Sequence, residues 1–246
     1  EKISYKYKLW KMSKKSRSYW LWKVFFFLFC LIFFYHIWIL GQIVYWNFYN
    51  PSTSSFMQYR LDILQKENPS QKIELQYKWV PYNLISLHLK RAVITAEDAK
   101  FIKHNGFDYE SMQMAYKKNL SKRKIVAGGS TISQQLAKNL FLSAEKTPWR
   151  KIEETVITLM IENVMSKRRI LEIYLNIIEW GNNVFGVKAA AQYYYNISTS
   201  SLSARQSSRL AAMIPNPRFY DRNRNNPSLL RKSDIIRHRM VSIRIP

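Results

Sequence analysis

The chain has 246 residues, which suits one domain with an appendage, and 47% of them are hydrophobic, enough for a packed core. Only 6 glycines and 8 prolines argue against a loop-rich or disordered chain, and the single cysteine, Cys30, excludes an intrachain disulfide. With 39 Lys and Arg against 16 Asp and Glu the formal charge is +23, which points to an anionic partner: nucleic acid, an acidic membrane surface or a phosphate-bearing substrate.

Residues 1–23 carry eight Lys or Arg against Glu1 alone, a local charge of +7. The numbering opens on Glu1 rather than Met, so the native start is expected upstream. From 24 to 40 the sequence reads VFFFLFCLIFFYHIWIL, without Lys, Arg, Asp or Glu. Extended to 46 it supplies about 20 apolar residues, the length that crosses a bilayer. A secretory signal would have a shorter apolar core and a small-residue cleavage site, so 24–46 is expected to be an uncleaved anchor. Trp20, Trp22, Trp38, Tyr45 and Trp46 place amphipathic rings near its two ends, as in interfacial belts. The basic flank predicts a cytoplasmic N-terminus, which puts residues beyond about 50 across the membrane. Taking +7 from +23 leaves +16 on that exported part. A nucleic-acid role does not fit such a location, whereas anionic head groups and a lipid-linked phosphate do.

Residues 47–80 have mixed patterning and are expected to be a membrane-proximal connector, with a turn at Asn50-Pro51-Ser52-Thr53. From Pro81 to about 220 the pattern is helical. Ile85, Leu89, Val93 and Ala96 form a stripe facing a core. Further helices are predicted after Asp108 as N-cap, from Gly128-Gly129-Ser130, from Thr147-Pro148, near Ser166, and over about 184–195 and 202–213. No period-2 run supports a substantial sheet and no internal repeat is present, so the class is mainly α. The basic tail, 221–246, is expected to be less regular.

Three segments carry chemistry. Glu97 follows Val93 by four residues, at the end of the apolar stripe, where a low-dielectric surround favours the neutral carboxyl and suits a general base or acid near neutral pH. An exposed helix-end carboxylate beside a capping Asp98 is the other reading of these residues. In 128–139, Thr131, Gln135 and Lys138 fall on one helical face while Ile132, Leu136 and Leu140 fall on the other. The glycines before them permit close backbone approach, and a helix N-terminus favours anions. The Walker spacing is absent. In the third segment Arg150 and Glu154 are spaced i,i+4 at the start of a helix whose Ile152, Val156 and Leu159 on one side, and Ile157 and Ile161 on another, predict passage through the core. A surface ion pair is the alternative there. Two S-x-x-K matches, at Ser143 and Ser121, lack a following K-T-G and are read as chance, and the four scattered histidines give no zinc spacing.

Together these segments resemble the glycosyltransferase family shared by bifunctional penicillin-binding proteins and their monofunctional relatives. The E-D-x-x-F-x-x-H-x-G-x-D pattern is complete over 97–108, and R-K-x-x-E over 150–154. G-G-S-T-I-[ST]-Q-Q runs over 128–135, with Ser133 where Thr is usual. Stretches 170–176, 186–194 and 210–217 also match, so the likeness covers about 80–220. The chain looks like the monofunctional, membrane-anchored form of Gram-negative bacteria, without a transpeptidase domain.

The resemblance implies a lysozyme-like helical fold, one N-terminal transmembrane helix and an inner-membrane location with the catalytic domain in the periplasm. It implies polymerisation of lipid II into β-1,4 glycan strands, with inversion and release of undecaprenyl pyrophosphate. Glu97 would be the base, and Glu154 would complete a pyrophosphate site with Lys138, Lys146 and Arg150. Lys146 stands where the family usually has Arg, so a bidentate grip becomes a point charge. Asp98, Phe101, His104, Gly128, Ser130, Thr131, Gln134, Gln135, Asn139 and Lys151 are the further substrate-binding residues it implies. Implied partners are lipid II, the growing glycan chain and membrane lipids, with other cell-wall synthesis or division proteins as further candidates and no nucleic acid. No organic cofactor is expected; a divalent cation at the pyrophosphate is compatible with the pattern. A lytic enzyme cleaving the same glycan is the first alternative, and a non-enzymatic scaffold on anionic lipids the second. A hydrolase of uncharged glycosidic bonds has no use for converging cations.

Overall fold

The apolar run becomes the second half of one long helix, α1 (Lys2–Phe48). The computed structural model describes residues 2–70, 72–124, 128–143, 145 and 147–246, with side chains described from residue 19 onward except that of Gln76. Two compact units emerge, Glu1–Gln42 and Ile43–Pro246. In the first, Phe25, Phe26, Phe27, Ile32 and Phe34 all stand exposed, as befits a helix with an apolar surround. Among the described residues, Tyr19–Phe48 is the one helical stretch long and apolar enough to cross a membrane. His36 turns its Nδ1 onto the Ile32 carbonyl 2.8 Å away, which gives the polar ring a partner within its own helix.

The second unit is helical, with a small three-stranded sheet. After the last turns of α1 come α2 (Ser55–Glu67), β1 (Gln76–Tyr77), α3 (Leu87–Glu97), α4 (Tyr109–Lys122), α5 (Ile132–Phe141), α6 (Pro148–Val164) and α7 (Lys167–Ile177). Then follow β2 (Glu179–Gly181), β3 (Val184–Phe185), α8 (Gly186–Tyr195), α9 (Ala204–Met213), α10 (Pro217–Arg222) and α11 (Pro227–Arg239). The strand order is β1-β3-β2, with β1 parallel and β2 antiparallel to β3, and a bulge between Glu179 and Gly181.

Helix starts fall where capping chemistry puts them. Asp108, Thr147, Ser166 and Ser203 each accept a hydrogen bond from the backbone three residues on, and Pro148 occupies the first turn of α6. The predicted stripe faces the core: Ile85, Leu89 and Val93 are buried, and α3 packs on α9 and α11. α5 packs on α2, α6 and α7. Asn176 of α7 is fully buried and holds both polar groups of Val80, accepting from its N–H at 2.8 Å and donating to its C=O at 2.9 Å. Arg169, also on α7, donates to the carbonyls of Trp46 (2.9 Å) and Tyr49 (2.6 Å), whose helical acceptors would otherwise be unmet at the end of α1. Gly186 has φ +76°, and a Cβ there would stand 2.4 Å from the Asn176 carbonyl oxygen, so only glycine fits.

Two expectations need correction. The tail is helical: Asn226 caps α11 with Pro227 in its first turn, and Leu229, Ser233 and Ile236 bury one face against α9 and α3. α6 does not run through the core on both sides. Ile157, Thr158 and Ile161 are fully buried, but Ile152 and Leu159 are 57% and 46% exposed and Trp149 is 79% exposed. The second apolar stripe is therefore an uncovered surface of this unit.

Candidate functional site

The last residue of α3 and the polar side of α5 meet in a cleft. Glu97 ends α3, so the apolar stripe beneath it desolvates its carboxyl. Gln135, one turn into α5, donates from Nε2 to Glu97 Oε2 at 2.8 Å. Its Oε1 accepts from the hydroxyl of Tyr174, a fully buried residue of α7, at 2.9 Å. That second bond decides which end of the amide faces Glu97, because a tyrosine hydroxyl donating to Oε1 leaves Nε2 pointing at the carboxylate. Burial pushes the Glu97 carboxyl above its ordinary range. The Gln135 hydrogen bond and the charges of Lys232 and Lys138 pull it back in part, and Asp98 adds a push upward.

Lys138 is one turn beyond Gln135. Burial lowers its ammonium below the usual lysine range, opposed chiefly by Glu154 and then by Glu97, while Arg150 and Lys151 lower it further. Lys138 thus stands in the fields of both carboxylates. Both Glu154 oxygens are engaged: Oε2 accepts from Arg150 Nη1 at 3.0 Å and Oε1 accepts from Lys151 Nζ. Glu154 is buried whereas the Lys151 side chain is 47% exposed. The cluster of Lys138, Arg150 and Lys151 around one buried carboxylate carries excess positive charge at the start of a helix, a setting that favours an anion.

Two cavities flank this line. One, of about 160 Å³, is lined by Glu97, Asp98, Asp108, Gly128, Ser130 and Thr131. The other, of about 360 Å³, is lined by Gln135, Lys138, Asn139, Tyr174, Glu179 and Arg218, among others. Glu97 faces the first and its partner Gln135 the second.

Several of the residues expected at the substrate site are also engaged within the fold. Phe101 is fully buried, with Lys167 Nζ 4.6 Å from its ring centre. Asp98 accepts from the Ile132 N–H (3.0 Å) and from His104 Nε2 (2.9 Å), which ties the end of α3 to the start of α5. Both Asp98 and His104 are almost wholly enclosed as side chains. Thr131 and Gln134 form a reciprocal cap at the N-terminus of α5, and the Thr131 hydroxyl also donates to the Gly106 carbonyl at 2.6 Å. Of the polar face expected at 131, 135 and 138, Thr131 lines the smaller cavity while Gln135 and Lys138 line the larger one. Gly106 has φ +90°, and a Cβ there would meet Thr158 at 2.9 Å. Ser133 is buried on Glu162, away from the cleft. Lys146 lies outside the described residues.

Two residues escaped the sequence reasoning. Tyr174 sits in the stretch 170–176, and nothing in its spacing shows that its hydroxyl reaches Gln135. Lys232 lies on α11, where burial lowers its ammonium and Glu97 is the charge opposing that shift. Its signal was available: Asn226-Pro227 opens a helix, and Leu229 and Ile236 lie three residues before and four after Lys232 on the buried side. Among the described residues, no group of three or more His, Cys, Asp or Glu is placed to hold a metal ion.

The family model described as Transglycosylase matches residues 66–241. A biosynthetic peptidoglycan transglycosylase of Nitrosospira multiformis is 61% identical over 227 residues, spanning 92% of this chain and 98% of that relative. Namesakes from Chromobacterium violaceum and Nitrosomonas eutropha are 58% and 54% identical over 212 and 245 residues. They cover 86% and 96% of this chain, and 92% and 100% of their own lengths.

Proposed function

This chain belongs to the transglycosylase family and is a peptidoglycan glycosyltransferase, and from that premise we propose that it polymerises lipid II into β-1,4 glycan strands. The observation that carries the proposal is the desolvated Glu97, held by Gln135 between two cavities, with Lys138 linking it electrostatically to the Arg150–Glu154–Lys151 cluster. A carboxylate with its affinity for protons raised is matched to proton abstraction near neutral pH. Glu97 takes the proton of the acceptor sugar's 4-hydroxyl in the smaller cavity. The oxygen attacks the anomeric carbon of the growing chain, whose bond to undecaprenyl pyrophosphate breaks on the opposite face, inverting that carbon.

The departing pyrophosphate gains negative charge as its bond to the sugar breaks. Lys138, Arg150 and Lys151 are already in place to meet that charge, in a partly desolvated site where such interactions are strong. Glu154 holds Arg150 and Lys151 and is a positioning residue. Lys232, on α11, adds a second ammonium whose charge favours the ionised form of Glu97 between turnovers. Among the described residues Glu154 is engaged by two cations and Glu97 by Gln135, and no step is assigned to a divalent ion.

The basic flank of α1 supports a cytoplasmic N-terminus in the inner membrane, with the catalytic unit in the periplasm. Exposed Trp149, Ile152 and Leu159, next to Arg150 and Lys151, support a rim that meets lipid close to the pyrophosphate site. The test is product analysis. Purified full-length protein with lipid II should release undecaprenyl pyrophosphate and glycan polymer with β linkages at every new bond. Shortened muropeptides from preformed glycan, with no new polymer, would favour the lytic reading.

A further inference from the structure

The cavity beside Lys138 does not end at the cluster that lines it. Arg218 and Asn216, at its outer wall, also line a second, wider cavity of about 550 Å³ bounded by Arg60, Asn182, Tyr193 and Arg222. The two cavities thus adjoin at Asn216 and Arg218, and 550 Å³ is within the range of organic-ligand sites. The floor of the wider one is a buried ion cluster. Glu179 lies between Arg60 (Nε to Oε1, 3.4 Å) and Arg218 (Nε to Oε2, 3.6 Å), and Arg60 reaches Asn182 Oδ1 at 3.5 Å. One carboxylate facing two guanidiniums leaves positive charge over. The Arg218 side chain is 48% exposed toward the groove. Asp221, which also lines this cavity, is held by Arg224 at 2.9 Å and by the Asn182 N–H at 3.1 Å. Glu67 is exposed at the edge of the same cavity. Among the described residues, no carboxylate pairs with Arg222, which stands exposed on the last turn of α10.

We infer that this outer groove holds the part of the growing chain already made, and that Arg222 and Arg218 pair with carboxylates of its peptide stems. The inference rests on the proposed polymerase reading, which places the growing chain on the Lys138 side of Glu97. Asn216 and Arg218, shared by the two cavities, give a chain held there by its pyrophosphate a way from the inner cavity into the outer one. Amide side chains (Asn182 and Asn216) and an aromatic wall (Tyr193) suit sugar hydroxyls and the apolar face of a pyranose. Free guanidinium forks suit carboxylates, and any pentapeptide stem ends in one. A bare polysaccharide would give exposed arginines nothing to pair with.

The test is an interaction cycle between protein and substrate. Full-length wild type and Arg222→Gln are each given lipid II at a fixed concentration as acceptor and a short lipid-linked oligomer as donor, with the oligomer's stem carboxylates either free or converted to amides, and KM for the oligomer is measured. Arg222→Gln is expected to raise KM for the free-carboxylate oligomer by about two- to fivefold, the range of a solvent-exposed ion pair. With the amidated oligomer, wild type and variant should coincide, and Arg222→Lys should recover most of the loss with free stems. Equal losses on both oligomers, or no change on either, would overturn the inference. Wild type that elongates neither oligomer would instead remove the polymerase reading on which the inference stands.

Discussion

Replacing Gln135 with Leu removes a donor 2.8 Å from the Glu97 carboxylate while leaving Lys138 and the Arg150–Glu154 pair in place. Burial drives the Glu97 carboxyl up and this bond is the first effect pulling it back, so its loss pushes the carboxyl further up. A hydrogen bond to a charged group contributes about 1.5–3 kcal/mol, and about 1.4 kcal/mol corresponds to a factor of ten. On the acidic side of the rate profile the ionised fraction of Glu97 should therefore fall about ten- to a hundredfold. At alkaline pH the base is ionised in both proteins and the difference should shrink. Tyr174→Phe removes the hydroxyl that orients the Gln135 amide and should move the acidic limb the same way by less. The assay is the initial rate of glycan formation from pH 5 to 9 for the three proteins. An acidic limb that stays put, or moves to lower pH, refutes this reasoning; a uniform loss at every pH would reduce Gln135 to a substrate-binding group.

Glu97→Gln should alter stability in a pH-dependent way. The folded carboxyl holds its proton more tightly than the unfolded one, so ionised Glu97 destabilises the fold above its folded pKa, and this penalty vanishes below the unfolded value. The variant should melt above wild type at pH 8, with the gap closing as pH falls toward 4; a lower Tm at pH 8 would contradict burial as the leading cause. Phe101→Ala should cost about 3–5 kcal/mol in denaturant unfolding, as for a large buried aromatic. Its KM, measured well below melting, should stay within about twofold of wild type. A raised KM without lost stability would return Phe101 to the substrate site.

The parts of the site that could be read in the sequence are those set by helical period. Glu97 at the end of the Ile85-Leu89-Val93 stripe, and Gln135 and Lys138 on the face opposite Ile132, Leu136 and Leu140, follow from 3.6 residues per turn. Caps were legible for the same local reason at Asp108 and Thr147, and so was a helix start near Ser166. Roles that depend on tertiary placement were not. Asp98 is of a type that binds substrates or caps helices equally well, and only the meeting of α3 with α5 puts it on the Ile132 N–H, whereas Thr131 and Gln134 form a cap local to α5. Lys232 was hidden by composition, because a run rich in Arg and Asn outweighed the sparse period of Leu229 and Ile236. α6 misled in the opposite sense: a helix apolar on two sides reads as central, yet Ile152 and Leu159 face outward. An exposed apolar stripe and a buried one look alike until the surround is known.

The most direct measurement is the turnover of lipid II by Glu97→Gln, with circular dichroism confirming the fold and equilibrium binding confirming the substrate site. Loss of a positioned general base should lower kcat by about 10²–10⁴-fold while affinity for lipid II stays within about threefold. A variant that polymerises within tenfold of wild type would show that proton removal from the acceptor does not run through this carboxylate.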